Sequence, residues 1–595
     1  MEEDVKVKLH FLLEQLQLAP LRPHQRRYSP DLLTRSMLWK IGSSGLYRNI
    51  LEDGVLSLPS TGHLEHLSKA LTMETGLTES TISYLTARTK DLDEKERLCM
   101  LLIDKVHVTQ RPEFFNGKLT GYHIGEVTRS LLGLMLQSTC SAYKDMIALV
   151  PVKTLNSSLL KTHFDQVLEA VTKIGITVVG LSVDNFSANR KFYSDLCGGE
   201  LKPSISHPLL QDEQIFLLFD ATHNLKNWYN NHLSRRTFSC PDFKGQRIGK
   251  PSMDHLHELY EMEKGSPTKV AHKLSKRVLE PNALERVNIM LANAYSHPST
   301  IAGLRFHSKD EHPQWLQTEA YLSLIRKTWN ILNIKTPWKG WHHRDPSSMP
   351  ITKNKRENLV HLADFAEWIK TFYEHPGPSW TKETFTATHQ TLTATVKLVE
   401  YLLDKKGFSY VLTGKFQSDP IERQFGRYRQ ASGGNYFIST RQVLESEKLI
   451  RVKNIVKFNK LSMKAIQRVI TPVTLPDVAE LFIQELPTLK ISDQIESYHD
   501  EGTVGYVAAY SGRSAANTLS CKEYVKMLVE SLDMPEVSFK MPDGSVVKEV
   551  IDQEAKDALI RQVNRGGLCS ATDLCYLSCR IPWNFFVDVT ANDSL

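Results

Sequence analysis

Asp104, Asp184 and Glu422 are the residues that point to chemistry. Asp104 closes "MLLID" and Asp184 closes "VVGLSVD", so each ends a run of apolar residues. Such runs read as buried strands, and open sheets place their sites at the carboxyl ends of such strands. Glu422 lies in "SDPIERQFGRYRQASGGN", residues 418–435. Ser418 can cap a helix there, Asp419 and Pro420 suit its first turn, and Ile421, Phe425 and Tyr428 make an apolar stripe. Glu422 falls beside that stripe, at the edge of a core. Hard oxygen donors of this kind suit Mg²⁺ or Mn²⁺. Two such ions can activate an attacking hydroxyl and stabilise the leaving oxygen of a phosphoryl displacement. Arg423, Arg427 and Arg429 flank Glu422, where they can receive a phosphate backbone or remain solvated. A lone strand-end aspartate is usually a turn or cap residue. It is the set of carboxylates that suggests a site.

The elements that must position these residues follow from periodicity. "RLCMLLIDKVHV" is a buried strand, "GKLTGYHIG" is hairpin-like, and "RSLLGLMLQS" and "KDMIALVPV" are further strands. "LLKTHFDQVLEAVTKIG" is an amphipathic helix, and "TVVGLSVDNFSANRKFY" is a strand running into a loop and helix. Another buried strand follows in "QIFLLFDATHNLKNW". Three strands, a helix and a strand predict an RNase H-like α/β layer over residues 95–234. Residues 235–405 read as a helical, Trp-rich insertion. The layer resumes over 406–460, and 461–595 is expected to be a helical C-terminal region.

Upstream, residues 1–24 form a short amphipathic helix with Val5, Leu9, Leu12, Leu13 and Leu16 on one face. It is a packing or dimerisation segment, too short for a sustained coiled coil. Residues 25–90 hold three short helices, "SPDLLTRSMLWKIG", "SGLYRNILEDG" and "PSTGHLEHLSKAL". They read as a helix-turn-helix whose third helix offers Ser60, Thr61, His63, His66 and Lys69 to a DNA groove. Arg26 and Arg27 add positive charge. A small helical bundle with a solvated face fits the same spacing.

The chain of 595 residues exceeds a single core, and its net charge of +6 permits nucleic acid without demanding it. Its eight cysteines are scattered, which points to a reducing compartment. No signal-like N-terminus and no membrane-length apolar run is present. His342, His343 and Asp345 suggest a metal site, but adjacent histidines diverge, so a solvated loop fits better. Cys569, Cys575 and Cys579 lack a CxxC pair. Trp329, Trp338 and Trp341 suit either base stacking or core anchoring.

Taken in order, "LLIDKVHV", "GLSVDNFSANRKFY", "LFDATHNLKNWYNN", "NALERVNIMLANAYS", "TWNILN", "DPIERQFGRYRQASGGN" and "NRGGL" resemble the P element-type transposases, including the THAP-domain-bearing transposases of animals. The resemblance covers roughly residues 25–595. It implies an RNase H-like catalytic domain split by a large helical GTP-binding insertion, with a helix-turn-helix before it and a helical region after it. It puts the catalytic, metal-holding triad on Asp104, Asp184 and Glu422. Nucleotide contacts fall on Asp220, Lys226, Asn330, Asn333 and Asp419. It further implies Mg²⁺ or Mn²⁺ and GTP as cofactors, double-stranded DNA as transposon ends and target, a homo-oligomer, and the nucleus. The sequence departs from the family at Asn330, where an Asp is usual, and at Lys105, where an acid is common. No Cys precedes residue 99, so the N-terminal zinc module of the THAP-type relatives is not expected here. The expected activity is DNA cleavage and strand transfer. The alternative is a domesticated, catalytically inactive DNA- or partner-binding protein.

Overall fold

In β1 (Leu98–His107), residues alternate between two cores. Leu98, Met100 and Leu102 face one, and Cys99, Leu101 and Ile103 face the other. A strand buried on both faces loses polar alternation, which is why it reads as one apolar run. The structure is a computed structural model that describes residues 3–69, 73–115, 118–123, 126–243, 247–266, 268–308 and 312–459, and two short strands further on.

After β1 come two small hairpins, β2 (Glu113–Phe115) with β3 (Lys118–Thr120), and β4 (Tyr122–His123) with β5 (Glu126–Val127). Then follow β6 (Ser130–Ser138), β7 (Lys144–Val152) and β8 (Thr177–Val183), and after them β9 (Ser204–Ser206) and β10 (Gln214–Phe219). The six-stranded sheet has the order β7-β6-β1-β8-β10-β9. β6 is antiparallel to both its neighbours β7 and β1, β1, β8 and β10 are parallel, and β9 is antiparallel to β10. The three parallel strands therefore run towards one side, where Asp104 lies within β1 and Asp184 and Asp220 directly follow β8 and β10.

Five helices precede the sheet: α1 (Glu3–Leu18), α2 (Pro30–Gly42), α3 (Ser44–Asp53), α4 (Thr61–Lys69) and α5 (Glu79–Thr89). α2, α3 and α4 form where the sequence signals place them. The Ser29 and Ser43 hydroxyls cap α2 and α3, and Gly54 ends α3 at φ 66°. Leu18, Leu32, Met37, Tyr47, Leu58 and Leu64 join the core under α6 (Ser157–Lys173) and α7 (Ser187–Leu196).

The other face of the sheet is covered by α8 (Ala221–Arg235) and the helical region beyond it. That region comprises α9 (Met253–Glu263), α10 (Lys276–Leu279), α11 (Ile289–Tyr295), α12 (Pro298–His307), α13 (Trp315–Leu332), α14 (Lys339–His343), α15 (Glu357–Glu374) and α16 (Lys382–Glu400). α16 lies on β10. Its Thr391 hydroxyl accepts from Phe219 N–H (3.1 Å) and donates to Phe219 C=O (2.7 Å), and Gln390 donates to Leu217 C=O (2.9 Å). The sheet layer thus resumes at Lys382, inside the span read as insertion, and one continuous core joins sheet and helices. α17 (Asp419–Ala431) and α18 (Thr440–Asn459) follow.

Most of the expected helical region 461–595, with Cys569, Cys575 and Cys579, lies outside the described residues. What is described there is an antiparallel pair, Val537–Lys540 with Val546–Glu549, rather than helix. Among the described residues no helix is long and apolar enough to cross a membrane.

Candidate active site

β1 and β8 run parallel with Leu102 opposite Ser182. Two residues further on, just past the end of this ladder, stand Asp104, still within β1, and Asp184, which follows β8. Asp184 Oδ1 accepts from the Phe186 N–H (3.1 Å) and from Asn189 Nδ2, which fixes the turn into α7. Asp104 Oδ1 accepts from the Lys105 N–H at 2.7 Å. Burial pushes the Asp104 carboxyl up to about 7, against the pull of that N–H, and the carboxylates of Asp184 and Glu422 push the same way. The Lys105 ammonium lies 4.3 Å over the Phe186 ring.

A glycine brings the helix of Glu422 into the neighbourhood of these aspartates. Asp104 pairs across the sheet with Gly133 of β6. A Cβ on Gly133 would lie 2.9 Å from Phe425 Cζ and 3.1 Å from Ile421 Cδ1. The apolar stripe of α17 therefore settles into a dent in the sheet beside Asp104, and Glu422 follows Ile421 in sequence. The start of the helix is tied down differently from its sequence signal. The Ser418 side chain makes no cap hydrogen bond. Instead its backbone N–H donates to Asp220 Oδ1 (2.8 Å), while Asp220 Oδ2 caps α8 through the His223 N–H (3.0 Å). Asp220 is 1% exposed, and it clamps the two helix starts together.

Sequence reasoning missed His223. Its Nε2 lies 3.6 Å from Glu422 Oε1. Burial works against the imidazolium, but Glu422 and Asp220 outweigh it and raise the His223 pKa. In return His223, and then Lys226, hold Glu422 below the usual carboxylate range despite burial. A signal was present: "QIFLLFD" ends in a third strand-end aspartate, and His223 is three residues beyond it. The carboxylates form a neighbourhood rather than a closed cage. Among the described residues no three His, Cys, Asp or Glu side chains are arranged to hold a metal ion. The donor set itself, hard oxygens on two strand ends and a docked helix, suits Mg²⁺ or Mn²⁺.

The family model of the TNP-like RNase H N-terminal domain matches residues 73–197, the span that carries Asp104 and Asp184. The sequence is 20% identical over 410 residues to the transposable element P transposase of Drosophila melanogaster, covering 68% of this chain and 51% of that protein. The chain is a relative of the P element-type transposases. It spans about half the length of that curated relative. Its fold matches the Drosophila P element transposase strand transfer complex with a TM-score of 0.65 at 16% identity, over 77% of this chain and 98% of that one.

In this P element relative the five expected nucleotide contacts divide into two groups. Asp220 is buried and each of its oxygens accepts one backbone N–H, so it clamps the starts of α8 and α17. Lys226 lies on α8 near Glu422. Asn330, Asn333 and Asp419 gather where α13 ends and α17 begins, joined by Gln417 Nε2 donating to Leu332 C=O (2.9 Å). Asn330 Nδ2 is turned inward, to Asp345 Oδ2 (3.0 Å) and Ser347 Oγ (3.2 Å). Asp419 pairs with Lys335 and accepts from Thr222 Oγ1 at 3.1 Å. Asn333 Oδ1 is buried and has no hydrogen-bond partner. Asn333 Oδ1 is thus the acceptor of this group left without a partner, beside the Asp419–Lys335 pair.

The expected DNA contacts also separate. Ser60 Oγ accepts from His63 N–H at the start of α4, Thr61 C=O accepts from Lys40 Nζ (3.2 Å), and His63 is exposed near Tyr28. The Lys69 side chain lies outside the described residues. Arg26 donates to Leu21 C=O (3.1 Å), and Arg27 is exposed. Arg423 and Arg427 are exposed on α17. Sequence reasoning missed Lys144 of β7 beside them. Half-burial and then Arg423 and Arg427 hold its ammonium below the ordinary range.

Proposed function

We propose that the chain is a P element-type DNA transposase, a metal-dependent enzyme of DNA cleavage and strand transfer. One observation carries this reading: Asp104 and Asp184 stand just past the end of the β1–β8 ladder, and Gly133, opposite Asp104, seats the helix of Glu422. Asp104, Asp184 and Glu422 would hold Mg²⁺ or Mn²⁺, which when bound activates the attacking oxygen and stabilises the leaving one. The chain's own residues orient the rest. Asp220 and Gly133 fix α17, and His223 keeps Glu422 ionised. Arg423, Arg427 and Lys144 receive the phosphate backbone, and Ser60, Thr61 and His63 of the N-terminal helices enter a groove, with Arg26 and Arg27 on its flank. In strand transfer the 3′-oxygen of the cut end bonds to a target phosphorus, and that phosphorus releases its own 3′-oxygen. GTP would be a positioning cofactor held by Asn333 and Asp419, with Lys226 at the phosphate end. The same reading makes the protein a nuclear homo-oligomer, and the exposed leucines of α1 support self-association.

The test is joining of pre-cleaved end DNA to target DNA in Mg²⁺ or Mn²⁺. The parent is expected to join and Glu422→Ala to fail; equal joining by both would sink the mechanism. Lys105, standing where relatives commonly carry an acid, favours a second reading as an inactive DNA-binding descendant. A parent that binds DNA and joins none would select it.

A further inference from the structure

Most tryptophans among the described residues are core anchors. Trp228, Trp315, Trp329, Trp368 and Trp380 are at most 5% exposed. Trp338 and Trp341 are 67% and 68% exposed. They lie one helical turn apart at α14, so they share a face. A buried Trp is among the largest contributors to a core. Two left outside, side by side, mark a surface that a partner covers.

The segment that carries them is anchored. Gly340 is buried, and a Cβ there would lie 2.6 Å from Met349 Cγ and 2.8 Å from Met349 N. The Asp345 N–H donates to Gly340 C=O (2.9 Å). The Asp345 carboxylate accepts from Ser347 Oγ and Ser348 Oγ (2.6 Å each) and from Asn330 Nδ2 (3.0 Å). The surroundings are cationic. Lys339 and Arg344 flank the rings, Lys335 is paired with Asp419, and the next acid, Asp345, is turned to Ser347, Ser348 and Asn330. Half-burial first, then Arg326 and Lys335, depress the Lys339 ammonium. Lys335 also reaches Asp419, one turn before Glu422. The exposed rings therefore stand near the same end of α17 as the candidate centre.

Flat apolar faces ringed by cations match a ligand that is itself flat, apolar and strung on an anionic backbone. A duplex hides its base faces within the stack, whereas a single strand offers them. We propose that Trp338 and Trp341 form a stacking platform for unpaired bases of a DNA strand led towards Glu422. This rests on the reading that the protein acts on DNA, but not on its chemistry.

The test is fluorescence anisotropy with the full chain, without divalent metal, on an oligothymidine single strand and on a duplex. Trp338→Ala with Trp341→Ala is expected to weaken single-strand binding about tenfold or more and duplex binding less than about twofold. Trp338→Phe with Trp341→Phe is expected to retain most of the affinity. The unfolding temperature should not change, because both rings lie outside the core. Unchanged single-strand affinity overturns the proposal. So does an equal loss on duplex, or displacement of the strand by GTP alone, which would assign the rings to a nucleotide site. A change of oligomeric state in light scattering would assign them to a second copy and overturn it too. The assay reads binding without divalent metal, so failure of the strand-transfer reading leaves this result standing.

Discussion

At the scale of single residues, the candidate site depends on an absence of side chain. Gly133 lets Ile421 and Phe425 approach the sheet opposite Asp104. Gly133→Ala forces a rigid aromatic ring to move, which costs about 1–3 kcal/mol of stability. A helix displaced by even ~1 Å is expected to lower strand transfer about 100-fold. Thermal unfolding and the joining assay measure both, and an unchanged variant would refute the docking argument. Asp220 makes a separable prediction. Asn offers one oxygen where Asp220 uses two, so Asp220→Asn strands a buried donor and is expected to cost about 1–3 kcal/mol. GTP affinity should survive Asp220→Asn and fall in Asp419→Asn. Titration of both variants with labelled GTP would reveal the opposite pattern if Asp220 touched nucleotide.

At the scale of elements, α18 secures α17. Glu447 Oε2 accepts from Tyr428 OH (2.7 Å) and Gln424 Nε2 (2.8 Å), and its Oε1 accepts from Arg451 Nε (3.0 Å). Arg451 also donates to Thr81 Oγ1 and Met146 C=O, both at 2.8 Å, so the network ends on α5 and β7. Alongside it, Asp145 accepts from Tyr84 OH (2.5 Å), Arg88 Nε (3.1 Å) and Asn454 Nδ2 (3.1 Å). Glu447 and Arg451 are buried, with side chains 2% and 5% exposed. Removing one partner leaves a buried charge, so Arg451→Met is expected to cost roughly 3–5 kcal/mol. Glu447→Leu with Arg451→Met should recover much of that in denaturant titrations. A double variant no better than the single would show that the pair is not coupled. In the sequence Glu447 and Arg451 look like an ordinary i,i+4 surface pair, because spacing on a helix says nothing of what covers it.

At the scale of the whole molecule, the helices of 253–400 are not a detachable lobe, since their core is continuous with one face of the sheet. The N-terminal helices belong to the other face. α1 is held there by Glu14, which accepts from the Ser29 N–H and hydroxyl at 2.7 Å each, and by Leu18. Its Leu9, Leu12, Leu13 and Leu16 remain 42–71% exposed. The proposed self-association therefore predicts that Leu12→Glu with Leu16→Glu lowers the mass seen in light scattering without lowering the unfolding temperature. An unchanged mass would place the oligomer contact elsewhere.

Local patterning by itself determined the strands of the sheet, the aspartates at their ends, the capped N-terminal helices and the stripe of α17 beside Glu422. Each is written in a few consecutive residues, through apolar runs, cap residues and helical spacing. Tertiary structure alone decided that Asp104 and Asp184 stand on neighbouring strands just past their shared ladder, that Gly133 admits the helix of Glu422, that Asp220 clamps two helix starts, and which tryptophans face water. These depend on packing between segments far apart in the chain: 422 − 184 = 238 residues separate Glu422 from Asp184. Burial and pairing over such distances are properties of the assembled core, and no local spacing encodes them.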